Sequence, residues 1–86
     1  MDIRILILQR GWVFVGRYSK DGTDVVLRDA SCIRRWGTSG GIGELASKGP
    51  RPNTKLDSAG DVQCHELAVV ASMRCNAESW GDVYAA

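Results

Sequence analysis

The sequence predicts a small α+β domain, an antiparallel β-sheet with element order β-β-β-α-β and one short helix, with residues 1–86 forming a single domain. Three observations carry that reading. β-Branched and aromatic residues alternate at period two over residues 3–8 and 12–18, as in strands. An Asp21-Gly22 pair separates two such runs, the composition of a tight hairpin turn. Residues 42–48 place apolar side chains three and four apart between a glycine-rich segment and Gly49-Pro50, which is helix spacing with helix boundaries.

The elements follow in order. Ile3, Ile5 and Ile7 alternate with Arg4, Leu6 and Leu8. Apolar groups on both faces place this first strand in the middle of the sheet. Arg10-Gly11 turns the chain. Trp12, Phe14, Gly16 and Tyr18 then share one face of a second strand, and Val13, Val15 and Arg17 the other. With Asp21 and Gly22 as the two central residues of a type I′ turn, Tyr18 is expected opposite Val25 and Gly16 opposite Leu27. A third strand is expected over 23–28. Asp29-Ala30-Ser31 forms a bulge or corner before Cys32-Ile33-Arg34-Arg35-Trp36. Ile42 and Leu45 or Ala46 face inward from the helix, Glu44 suits its positive end, and Gly49 then Pro50 stop it. Residues 50–61 read as a loop by composition, residues 62–75 as one or two strands, and Asn76 as the cap of a helical turn over 77–80 before a frayed tail.

At 44% apolar and 24% charged residues, the composition is that of an ordinary globular domain. No apolar run approaches the roughly 18 residues of a spanning helix, so no membrane partner is expected. The formal charge of +1 argues against duplex DNA as a partner, because that affinity rests on many phosphate contacts. The charge is nevertheless uneven, +4 over residues 1–51 and −3 over residues 52–86. Cys32, Cys64 and Cys75 are an odd set without a C-x-x-C pair, and His65 lies on the opposite strand face from Cys64. The expectation is reduced thiols, no metal and no cofactor. An 86-residue chain buries little more than roughly 60% of its unfolded surface. Three tryptophans and two-faced strands therefore predict a homo-oligomer, a dimer or tetramer.

No catalytic constellation stands out. The carboxylates fall in turns and loops, His65 is alone, and the glycines from Gly37 to Gly43 do not follow a phosphate-loop or dinucleotide spacing. An enzyme is not expected. The dense segment is Arg34 to Glu44. Arg34 and Arg35 offer bidentate forks for phosphate, and Trp36 offers a face for stacking a base. Thr38, Ser39, Gly40 and Gly41 offer hydroxyls and close backbone amides ahead of a helix, and Lys48 and Arg51 follow it. A phosphate-bearing ligand is the expected guest. The plainer alternative has Ile33 and Trp36 in the core, the arginines solvated and the glycines as a flexible link.

The run Val25-Val26-Leu27-Arg28-Asp29-Ala30-Ser31-Cys32-Ile33-Arg34-Arg35-Trp36, continued by Gly43-Glu44-Leu45-Ala46 and Gly49-Pro50, resembles a family of small phage-encoded proteins. Their shared features are a hairpin, a V-V-L-x-x-A-x-x-I-x-x-W stretch, a short L-A helix and a closing strand ending near a cysteine. Most members have no assigned function, and they commonly carry another aromatic where this chain has Arg34-Arg35. The resemblance implies a protein acting in the cytoplasm of an infected bacterium. By analogy with phage sponges of the anti-CBASS type, it implies capture of a nucleotide second messenger, such as a cyclic dinucleotide, without cleavage. The alternative is an interaction module that docks on a host protein through exposed aromatics such as Trp12 and Trp80.

Overall fold

The computed structural model describes residues 2–84. The elements are β1 (Asp2–Leu8), β2 (Val13–Asp21), β3 (Asp24–Arg35), α1 (Ile42–Lys48), β4 (Lys55–His65) and β5 (Val69–Arg74). They form one antiparallel sheet in the order β4-β3-β2-β1-β5 with a single short α-helix. The α+β class holds, but the order is β-β-β-α-β-β, with one strand more than expected. β4 begins at Lys55, inside the segment read as a loop. It is an edge strand, exposed along most of its length, so its Lys, Asp, Ser and Gly mimic loop composition. A 3₁₀ turn, Glu66–Ala68, then separates it from β5.

The hairpin register differs from the expectation by one turn position. Asp21 pairs with Asp24 and Tyr18 with Leu27, so Gly22 and Thr23 are the central residues. Gly22 takes φ 62° while Thr23 stays out of the positive-φ region, which suits a turn with glycine in its first central position. The shift moves each cross-strand partner by two residues. Every side chain therefore keeps its face, and the apolar pattern is equally satisfied by either register.

The sheet is rolled rather than flat. A straight β2 would separate Val13 from Asp21 by about 26 Å. Yet the Glu66 amide donates to Thr23 O at 2.8 Å beyond one end of β2, and Gln9 Nε2 donates to Leu67 O at 3.3 Å before the other. Two adjacent residues thus bridge the two ends, and β2 must bend. The bend lies at Gly16, where β3 inserts one extra residue between the pairs Arg17–Arg28 and Val15–Ser31. Asp29 adopts φ 51° there, and a Cβ on Gly16 would lie 3.0 Å from Leu27 Cβ and 3.1 Å from Arg28 O. Glycine fits because the bulged strand presses against its backbone. The rolled face encloses Leu6, Leu8, Val25, Leu27 and Ala30.

The opposite face carries Ile3, Ile5, Val15 and Ile33, covered by Leu45 and Ala46 of α1 and by Cys75, Trp80 and Tyr84. The chain is docked through Tyr84, so residues 81–84 depart from the expected frayed tail, whose last two positions lie outside the described residues. Asn76 Oδ1 accepts from the Glu78 amide at 3.0 Å, which starts the turn. Trp80 is fully buried, and its Nε1–H is shared between Leu45 O and Ala46 O, each at 3.2 Å. The Tyr84 hydroxyl reaches Asp29 O at 2.8 Å and Val15 O at 3.1 Å, which ties the tail to the bulge. Both faces are therefore covered within one chain, by the roll on one side and by helix plus tail on the other.

Candidate functional site

The end of the sheet where β3 leaves and β4 enters gathers several cationic side chains. Arg35 pairs directly with Lys55 across the two strands. Like charges directly opposite destabilise a sheet, so such a pair is stable only if an anion or solvent screens it. Among the described residues, Arg35, Lys48, Arg51 and Lys55 have no carboxylate partner. Trp36 follows immediately and is 42% exposed, so it is not a core anchor. Its carbonyl accepts from Thr54 Oγ1 at 2.6 Å, and the same hydroxyl accepts from the Arg51 amide at 2.8 Å. Gly37 allows this clasp, because a Cβ there would collide with the backbone of Asn53 and Thr54. Arg35, Trp36, Arg51 and Lys55 are thus gathered from two chain segments around one rigid corner.

The other members of the expected site behave differently. Arg34 is exposed and turned to Asp57, with Nε to Oδ2 at 3.1 Å. Thr38 Oγ1 donates to Gly41 O at 2.6 Å, so its hydroxyl closes its own loop. Ser39 and Gly40 are exposed, and the Glu44 carboxylate lies over Gly40, 3.1 Å from where a Cβ would stand. A carboxylate there repels an anion from the backbone of Gly40 and Gly41, and α1 has only seven residues. Lys48 ends α1 in solvent, three residues before Arg51. The basic corner is therefore built from Arg35, Trp36, Arg51 and Lys55 rather than from the glycines. Sequence reading missed Lys55 because its place opposite Arg35 depends on the β3–β4 register.

A groove of about 340 Å³ opens on the rolled face at the other end of β3, between Tyr18, Val25, Leu67 and Val69. Lys20 Nζ and Glu66 Oε2 meet across it at 2.6 Å, and the Arg4 guanidinium sits 4.3 Å over the Tyr18 ring. The Lys20 bond holds the Glu66 carboxyl below its ordinary range. The groove's charges cancel locally, so it offers nothing to a multiply charged ligand. None of the expected site residues lines it.

Burial pushes the Cys75 thiol up to about 12 and raises Cys64. Among the described residues no group of three or more His, Cys, Asp or Glu could hold a metal ion, and no helix is long and apolar enough to cross a membrane. Of the two aromatics suited to docking on a protein, Trp80 is buried and only Trp12 is available at the surface. No family model matches the chain, and no curated protein matches it.

Proposed function

We propose that this protein is a binding module for a phosphate-bearing nucleotide and holds its ligand at the corner formed by Arg35, Trp36, Arg51 and Lys55. The observation that supports this most is the Arg35–Lys55 pair, two cations in direct cross-strand register with no carboxylate partner among the described residues. A ligand phosphate relieves that repulsion, and the exposed Trp36 indole beside it accepts a base by stacking. Binding by charge and stacking involves no bond cleavage. In a phage-infected cell, a module of this kind withholds a nucleotide immune signal from its effector. Subunits that share ligand are a further part of this proposal, with homo-oligomer formation as its measurable sign.

Thermal denaturation against a panel of mononucleotides and linear and cyclic dinucleotides tests the reading. A ligand present at about 100 times its dissociation constant adds about 2.7 kcal/mol. For a domain of this size that raises Tm by about 10 °C or more. Arg35→Ala with Trp36→Ala should remove the shift, and ligand released by heating should be chemically intact. A panel without any shift overturns the proposal, and recovery of cleaved ligand makes the protein an enzyme.

A second reading, docking on a host protein, is favoured by one observation: Leu67 is 77% exposed beside the groove. It predicts that Leu67→Ala abolishes capture of the host partner, while Arg35→Ala has no effect.

A further inference from the structure

The groove on the rolled face forms a second site, separate from the basic corner. Its volume of about 340 Å³ lies at the lower end of the roughly 300–1,000 Å³ of small-molecule pockets. The floor is apolar: Leu6 and Val25 are buried, and Val69 packs against the same cluster. The Lys20 ammonium and Glu66 carboxylate meet above it at 2.6 Å, and their bond favours the charged form of both. Ser72 Oγ accepts from Arg4 Nη1 at 3.2 Å, which leaves its hydroxyl proton to donate. The wall that carries Glu66 and Leu67 is fixed from three sides. The Glu66 amide donates to Thr23 O at 2.8 Å, the Leu67 amide to His65 Nδ1 at 3.1 Å, and Gln9 Nε2 to Leu67 O at 3.3 Å. The groove therefore exists before any ligand arrives, which lowers the ordering cost of binding.

The ion pair decides the class of guest. A ligand with one charge displaces one partner and leaves the other facing a like charge. A ligand with both charges pairs with each partner, so one ion pair is exchanged for two. Both side chains are more than a third exposed, so their mutual bond contributes little and exchanges readily. We propose that the groove binds a free α-amino acid with an apolar side chain. Its ammonium pairs with Glu66, its carboxylate with Lys20, and its side chain covers Leu6, Val25 and Val69. The apolar floor supplies the driving force, and the two charges select a zwitterion over an amine or a carboxylic acid.

Amide NMR titrations with L-leucine, L-phenylalanine, glycine, L-leucinamide and 4-methylpentanoate test the proposal. The two apolar amino acids should shift the amides of Lys20, Glu66 and Leu67 in a saturable way. Leucinamide keeps the ammonium without a carboxylate, and 4-methylpentanoate keeps the carboxylate without an ammonium. Each should bind about tenfold more weakly than leucine, the loss of one charged hydrogen bond. Glycine carries both charges without the apolar body and should bind more weakly still. Lys20→Met should weaken leucine binding by about tenfold and strengthen leucinamide binding, because Glu66 is freed from its own partner. Glu66→Gln should do the reverse and favour 4-methylpentanoate. A variant that merely loses its fold strengthens neither ligand. Absence of saturable shifts with both apolar amino acids, or shifts centred on Arg35 and Trp36, overturns the proposal. Equal affinity for leucine and 4-methylpentanoate also overturns it, and equal affinity for leucinamide makes the occupant the end of a peptide instead. None of the five ligands carries phosphate, so these outcomes leave the nucleotide reading of the basic corner to its own test.

Discussion

Adding one methyl group at two different glycines should move stability in opposite directions. At Gly16, a Cβ meets Leu27 Cβ at 3.0 Å, Arg28 O at 3.1 Å and Ala30 Cα at 3.2 Å. Two of those three atoms are backbone, held by the bulge at Asp29, so they cannot move aside without unrolling the sheet. Overpacking of this kind costs about 1–3 kcal/mol. At about 4–8 °C per kcal/mol for a domain of this size, Gly16→Ala should lower Tm by about 4–24 °C. Gly43 is exposed in α1, has no atom within 4 Å of its Cβ position and is not at positive φ. There the same change gains helix propensity, about 0.8–1.0 kcal/mol, and should raise Tm by about 3–8 °C. Differential scanning calorimetry on the two variants, with urea midpoints as a second measure, reads both signs. A neutral Gly16→Ala would refute the argument that β2 bends by pressing its backbone onto the β3 bulge.

Trp80→Phe removes the donor shared by the Leu45 and Ala46 carbonyls, which keep the Gly49 and Asn76 amides, and should cost about 0.5–1.5 kcal/mol by urea denaturation; a loss below a few tenths would mean that the Trp80 bond does not hold the tail to α1. The Asp2 carboxyl is held below its ordinary range by the Arg4 hydrogen bond and then the Arg74 charge, and Glu66 likewise by the bond from Lys20. Because the fold favours both ionised forms, their contribution is present above the ordinary carboxylate range and lost as pH falls through the lowered values. Asp2→Asn with Glu66→Gln should therefore flatten the decline of the urea midpoint between pH 5 and pH 2, and an unaltered slope would contradict the pairing. With its thiol at about 12 and its side chain buried, Cys75 should resist iodoacetamide at pH 8 until urea unfolds the chain. Mass spectrometry of the native protein showing Cys75 alkylated as fast as Cys32 would refute that burial.

Much of the sheet is legible where local chemistry and final environment agree. Ile3, Ile5 and Leu6 announce a central strand with two buried faces, and Leu45 and Ala46 announce the buried side of a helix. What escaped sequence reading depends on contacts far apart in the chain. β4 looks like a loop because an exposed edge strand has no reason to be apolar. Either hairpin register satisfies the alternation, so the pattern could not choose between them. The roll depends on Gly16 meeting a bulge at Asp29, and the burial of Trp80 and Tyr84 depends on a tail without periodicity folding back on α1. In the candidate site, Arg35 and Trp36 were visible as a dense basic and aromatic spot. Lys55, twenty residues later, joins them only through strand pairing. The neighbouring glycines looked available for an anion because Thr38 and Glu44 occupy their surroundings only once the loop has folded.

Lys55→Glu tests the basic corner most directly, because stability and binding should part company. Replacing a like-charge neighbour of Arg35 by a carboxylate turns cross-strand repulsion into attraction, a gain of about 0.5–1 kcal/mol that shrinks in high salt. Measured by thermal denaturation with and without a dinucleotide, the variant should melt a few degrees higher than the original protein and show no ligand-induced shift. A variant that melts lower, or one that still gains its full shift from ligand, would contradict the assignment of this corner as a phosphate site.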